Sequence, residues 1–187
     1  MVVVGLVCLC RVDIKGLVAY SSVIHMGLVV IGLFRGTVVG YMGAVLMIVA
    51  HGFSSPGIFS LINFNYEVTG SRSLSLQKGV GLLYPLVSLF WFLLVAANMS
   101  APPSLNLFAE LLACVSILKL GFLLFLVVFF VTFLSASYNL YLYRCQQGDS
   151  LGFIGFSRGV NSGFILSSFM HIFPVYLGFF SLFYFIL

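Results

Sequence analysis

Four ionisable side chains stand inside long apolar stretches of this 187-residue sequence, where charge is expensive: Glu110, His25, His51 and, nearer a stretch end, Lys15. Glu110 is flanked by Leu105, Leu107, Phe108, Leu111 and Leu112, and is the one acidic residue set deep in an apolar segment. A charged group at the centre of a bilayer costs roughly 2.5–3.5 kcal/mol on insertion scales, so such residues face a bundle interior or a water-filled path. The chemistry this suggests is proton or ion transfer. The structural alternative is a carboxylate that only pairs with a neighbouring subunit.

His25 has Ser22 and Ser21 three and four positions before it, and His51 has Ser54 and Ser55 three and four positions after it. Both spacings place the hydroxyls on the histidine's own helix face. Lys15, seven positions before Ser22, falls near the same stripe as His25. A lone membrane histidine is most often a satisfied interhelical partner. Two of them on separate helices, together with Glu110 and Lys15, point instead to a shared hydrated path, because imidazole changes charge nearest to neutral pH. His171 opens the last apolar stretch and reads as a polar helix end near an interface.

The elements that must position these groups are membrane helices. Hydrophobic residues make up 62% of the chain and charged ones 6%, with a mean hydropathy of +1.22. About a quarter of an ordinary soluble domain is charged, so a water-facing surface cannot be built from this composition. The fold class expected is all-α, a polytopic transmembrane helix bundle. The net charge of +4 comes without any Lys/Arg run, which excludes nucleic acid as a partner and leaves the basic residues as topology signals. Cys8, Cys10, Cys114 and Cys145 form no C-x-x-C pair and have no histidine at ligand spacing, so neither a metal site nor a disulfide frame is expected. No nucleotide-binding or hydrolase motif is present.

A single membrane domain, 1–187, is expected, with apolar spans at about 1–10, 15–34, 38–63, 79–119, 120–143 and 163–187. The first is a stub. It lacks the basic region and cleavage site of a signal peptide and reads as the end of a hydrophobic helix, which points to the C-terminal portion of a longer chain. Asn63, Asn65, Tyr66 and Glu67 read as the end of the third span, leading into a solvated loop with a local ion pair to Arg72 or Lys78. Pro56 removes the hydrogen bond to the Gly52 carbonyl, and a kink is expected there.

The region 79–119 is too long for one simple span, and 98–104 interrupts it with Pro102 and Pro103. Either two short spans flank a surface turn, or one broken helix crosses once. A single crossing puts Arg11, Lys15, Arg72, Lys78, Arg144 and Arg158 on one side and only Arg35 and Lys119 on the other. A double crossing evens that to five against three. The positive-inside rule favours one discontinuous helix. Broken helices at membrane depth line cavities or are buried in protein, and in transporters they mark ion sites. Asn98, Ser100, Ser104 and Asn106 gather at this break.

These blocks have a family resemblance. The stretch Asp13–Gly27, the run Ala50–Ser55, the block Asn63–Glu67 with Ser71-Arg72, and the run Ala101–Leu111 together resemble chain 4 of the NADH-ubiquinone oxidoreductases, an antiporter-like membrane subunit family of respiratory complex I. The blocks cover roughly residues 11–112, and the last two spans are weakly diagnostic. The resemblance implies that Glu110 lies on a central hydrophilic axis with His25 and His51, and that Lys15 is the lysine opening its helix. It implies proton translocation driven by NADH oxidation and ubiquinone reduction in other subunits. NADH, FMN, iron–sulfur clusters and ubiquinone would be bound elsewhere, with no cofactor in this chain. The implied partners are the other complex I membrane subunits, especially the adjacent antiporter-like chains 2 and 5, and the lipid bilayer. The implied location is the mitochondrial inner membrane, towards which the many Phe and Gly residues (21 and 19) also lean as the mark of a T- and G-rich coding strand. Pro56 departs from the family, and the axis residues of the family's N-terminal half have no counterpart here. The alternatives are a subunit of a multisubunit cation/proton antiporter and a non-transporting membrane scaffold fragment.

Overall fold

The computed structural model describes residues 1–118, 121–148 and 160–186. Lys119 and Arg158, part of the charge argument, lie outside the described residues, as does most of the connection 144–158. The described chain is all helical apart from one isolated bridge, Asp13 to Ser73. The helices are α1 (Val2–Leu9), α2 (Ile14–Phe34), α3 (Val38–Thr69), α4 (Val80–Leu83), α5 (Pro85–Asn98), α6 (Leu105–Leu118), α7 (Phe122–Gln147) and α8 (Ser162–Ile186).

Local chemistry sets their ends. Asp13 caps α2 by accepting from the Lys15 amide, and Thr37 caps α3 by accepting from the Gly40 amide. Both are the short oxygen-bearing side chains that satisfy the free amides of a first turn. Pro85 opens α5, where the missing amide costs nothing. Gly70, left-handed at φ 68°, ends α3.

α2, α3, α7 and α8 are each long and apolar enough to cross a bilayer. α5 and α6 have 14 residues apiece, about 21 Å each, against a hydrocarbon layer of about 30 Å, so neither suffices alone. Their contacts with α3 show that they form one crossing in two pieces. At one end of α3, Phe64 meets Tyr84, which leads into α5, ring edge to face at 5.3 Å. Further along, Gly57 lies against Leu94 of α5. Beyond the break, Gly43 lies against Ala109, Leu112 and Ala113 of α6. Past the far end, Arg35 donates to the Ser116 carbonyl at 3.2 Å. The pair α5–α6 therefore runs once down the length of α3, antiparallel to it, with its break at mid-depth.

This arrangement puts the described basic residues Arg11, Lys15, Arg72, Lys78 and Arg144 on one face of the bundle and Arg35 on the other, the asymmetry of a positive-inside protein. The first of these is the basic face.

Two sequence expectations need correction. The third span does not end at 63: α3 continues to Thr69, because Asn63 donates to Glu67 one turn on and the chain leaves only at Gly70. Asn65 is accordingly not a solvated span end. It is fully buried and donates to Gln146 of α7 at 2.5 Å and to Gln77 at 3.4 Å. Secondly, His171 is no helix end. It sits nine residues into α8, with its backbone side against Gly57 at the level of Leu94.

Apolar packing brackets the middle of the bundle. Ile14, Leu17, Ile58, Leu61, Trp91, Leu94 and Leu142 form a buried cluster in the basic half. Leu28, Ala44, Met47, Ala109, Ile117 and Val128 form another in the opposite half. Outside, side chains such as Phe34, Val38 and Leu123 are more than two-thirds exposed, as a lipid-facing surface requires.

Candidate functional site: a buried carboxylate and two imidazoles at a broken helix

Between the two apolar clusters lies the polar centre. His25 on α2 is fully buried, and its Nδ1 is 3.6 Å from Oε1 of Glu110 on α6. The His51 ring on α3 is 4.9 Å from the His25 ring, centroid to centroid, and tilted 34° from it. Three helices thus deliver three titratable groups to one spot. Glu110 keeps 12% of its side chain accessible, whereas His25 keeps 1%.

The break supplies the surroundings. Asn98, Ser100, Ser104 and Asn106 are all buried. Asn106 donates across the gap to the Ala97 carbonyl at 2.7 Å, so the first turn of α6 satisfies an acceptor at the end of α5. The Pro102–Pro103 peptide bond is cis. Among the described residues, seven buried polar atoms around the centre close no hydrogen bond: both ring nitrogens of His25, His51 Nδ1, Asn98 Oδ1, Ser100 Oγ, Ser104 Oγ and Asn106 Oδ1. Buried polar groups in this number are met by ordered water in proteins generally.

Not every residue singled out from sequence reaches the centre. Lys15 is exposed in the first turn of α2, ten residues and about 15 Å of helix away from His25. α3 runs through Pro56, and Pro56 and Gly52 both lie on its exposed flank, away from the polar centre. Pro102 and Pro103 act only through the turn they impose. His171 donates from Nδ1 to the Ser167 carbonyl at 2.8 Å, within its own helix.

The span at 120–143 is expected from sequence, but the polar residues of α7 are not. Asn139 accepts from Asn98 at 3.0 Å and donates to the Ser135 carbonyl at 3.0 Å, and Tyr138 donates to the Ser135 hydroxyl at 3.2 Å. All three are buried. The available signal was their spacing: Ser135 and Asn139, four apart in an apolar helix, share one face.

A discontinuous crossing beside an intramembrane carboxylate, inside a bundle of long apolar helices, defines a multi-pass membrane protein of the antiporter-like class. The match to known proteins is more particular. Residues 1–135 match the family model described as "NADH:quinone oxidoreductase/Mrp antiporter, TM", and the chain belongs to that family. NADH-ubiquinone oxidoreductase chain 4 of Anopheles arabiensis is 43% identical over 167 residues, 88% of this chain and 76% of that one. The same-named proteins of Aedes aegypti and Ceratitis capitata are also 43% identical, over 88% and 93% of this chain. The chain spans only 37% and 39% of the length of those two. Among solved structures, a chain of respiratory complex I from Thermus thermophilus with bound NADH overlays with a TM-score of 0.80 at 26% identity, over 91% of this chain and 38% of that one. A chain of the Mrp complex from Dietzia sp. DQ12-45-1b shares the fold, with a TM-score of 0.77 at 21% identity, over 94% of this chain and 20% of that one.

Proposed function

We propose that this chain forms part of a proton-translocating, multi-pass subunit of respiratory complex I in the mitochondrial inner membrane. NADH oxidation and ubiquinone reduction take place in other subunits, which hold the NADH, FMN, iron–sulfur clusters and ubiquinone. The chain contributes no redox chemistry and binds no cofactor. Its partners are the other membrane subunits, the antiporter-like chains 2 and 5 foremost.

The observation that carries this reading is the contact of His25 with Glu110 at 3.6 Å, beside His51 and beside a helix broken at mid-depth. A carboxyl and two imidazoles within reach of one another can pass a proton with the help of water. The unpartnered polar atoms around them give that water its hydrogen bonds. Protons move through His51 and His25 to Glu110, which releases them towards one face. Packed apolar clusters on both sides keep the step from leaking. Lys15 and the prolines at positions 56, 102 and 103 take no proton. Lys15 marks the basic face, and Pro102 and Pro103 hold the break open.

Glu110→Gln keeps the shape and removes the titrating group. In the assembled complex it is expected to cut the protons moved per electron while subunit composition stays normal. An unchanged ratio in reconstituted vesicles sinks the proposal.

The second reading, a subunit of a multisubunit cation/proton antiporter, draws on the family's double description and the Mrp-type fold match. Purification separates them: flavin and iron–sulfur subunits accompany the chain in the first case and only small membrane partners in the second. A scaffold that transports nothing predicts that neutralising Glu110, His25 and His51 together leaves pumping untouched.

A further inference from the structure

Asn106 stands in the first turn of α6, fully buried, and its side-chain amide reaches back nine residues to the Ala97 carbonyl at 2.7 Å. Helix capping does not explain that bond. The turns that end α5 already serve its freed carbonyls. The Met99 amide donates to Val95 at 2.9 Å, that of Ala101 to Ala96 at 2.9 Å, and that of Ser100 to Ala97 itself at 3.1 Å. Helix propensity does not explain the residue either, because asparagine away from a cap is a poor helix former. Leucine has a similar branched shape and suits an apolar helix better.

The bond joins the two half-helices across Pro102 and Pro103, where two backbone donors are missing. We infer that Asn106 is a positioning residue for Glu110: its Nδ2 ties α6 to the end of α5, and its Oδ1 holds a water beside the carboxyl. The inference rests on the reading of Glu110 as the proton carrier and deepens it.

Asn106 and Glu110 are four residues apart on α6, neighbours on one helix face about 6 Å along the axis. What fixes Asn106 to α5 therefore fixes the turn that carries Glu110. The spacing at stake is fine. Nδ1 of His25 and Oε1 of Glu110 are 3.6 Å apart, so a shift of about half an ångström closes or loses a hydrogen bond. Only the nitrogen of the Asn106 amide can donate to a carbonyl, so the same bond fixes where Oδ1 sits. That oxygen is buried and, among the described residues, closes no hydrogen bond. An oxygen that only accepts is matched by a water O–H. The water can in turn donate to the carboxylate or accept from the carboxylic acid, which suits a group that changes protonation.

The test uses the whole assembled complex carrying Asn106→Leu, Asn106→Ser, Asn106→Gln or Glu110→Gln, with pumping measured per assembled subunit. Asn106→Leu removes donor and acceptor while Ala97 keeps the Ser100 amide. It is expected to assemble and to pump several-fold more slowly. Asn106→Ser stays small and polar but is too short to span the break, and it is expected to show the same loss should the leucine variant assemble poorly. Asn106→Gln keeps the whole amide on a longer arm and is expected to recover at least half of the lost rate. The infrared carboxylic band that vanishes in Glu110→Gln is expected to move to higher frequency in Asn106→Leu, as Glu110 loses its water. Leucine or serine variants that pump like the parent with that band unmoved reduce Asn106 to a packing residue. A glutamine variant no better than the leucine one overturns the inference as well. If Glu110→Gln abolishes pumping while the leucine and serine variants do not alter it, this inference alone fails. If Glu110→Gln has no effect, the proposed function fails first.

Discussion

Nδ1 of His25 and Oε1 of Glu110 face each other at 3.6 Å across the contact between α2 and α6, with His51 stacked obliquely behind. The two residues are 85 positions apart, and it is the single antiparallel pass of α5–α6 along α3 that brings them together.

Residues that act as a unit lose function together. His25→Gln is expected to lower the pumping rate at least tenfold, and His25→Gln with Glu110→Gln to be little worse than Glu110→Gln alone. Proton translocation in vesicles for the two single variants and the double variant checks this. Multiplying effects would mean that the pair works independently.

Gly43 lies about 12 Å of helix from His51, yet it sets how closely α6 approaches. A Cβ at position 43 would stand 3.0 Å from the Leu112 side chain and 3.1 Å from the Ala113 amide. Gly43→Val is therefore expected to push α6 outwards, widening the gap between Glu110 and His25. Pumping should drop with little change in membrane insertion, measured as the proton ratio against the amount of assembled subunit.

Asn139 ties α7 to the end of α5 through Asn98. Interhelical hydrogen bonds in membranes average about 0.6 kcal/mol and reach about 1.7 kcal/mol. Asn139→Leu is expected to lower the stability of the subunit by that small amount, read as a modest fall in its thermal aggregation temperature. A loss of several kcal/mol would show that Asn139 does more than tie two helices.

The single crossing can be tested by labelling. In a chain cleared of its own cysteines, Ser75→Cys, at an exposed position between Arg72 and Lys78, should react with a membrane-impermeant maleimide from the basic face and Gly36→Cys from the opposite face. Ala101→Cys, at the break, should resist from both. Rapid labelling of position 101 from either side would place the break at the headgroups and restore the two-span topology.

Much of this arrangement was legible in the sequence. The apolar runs mark the helices because a membrane demands them, and the sidedness of the basic residues favours a single crossing over two. Glu110, His25 and His51 were visible as ionisable groups where ionisation is costly. Lys15 was misleading: it shares a helical stripe with His25, but periodicity tells the angle around a helix and not the depth along it. In sequence, Asn65 looks like a solvated span end because it stands in a succession of polar residues, whereas the Gln77 and Gln146 that it bonds are distant along the chain. Asn139 escaped notice for a related reason. Its partner, Asn98, lies on another helix, and no local pattern announces a bond between helices.

α3 has 32 residues, about 48 Å of helix, in an oil layer of about 30 Å. The surplus must be taken up by tilt or by protrusion beyond the headgroups. α3 also packs on α2, α5, α6 and α8, and it carries His51 near its middle. Any change in bilayer thickness that altered its slant would therefore reach the imidazole directly, so lipid chain length is an adjustable parameter of the spacing at the centre of this bundle.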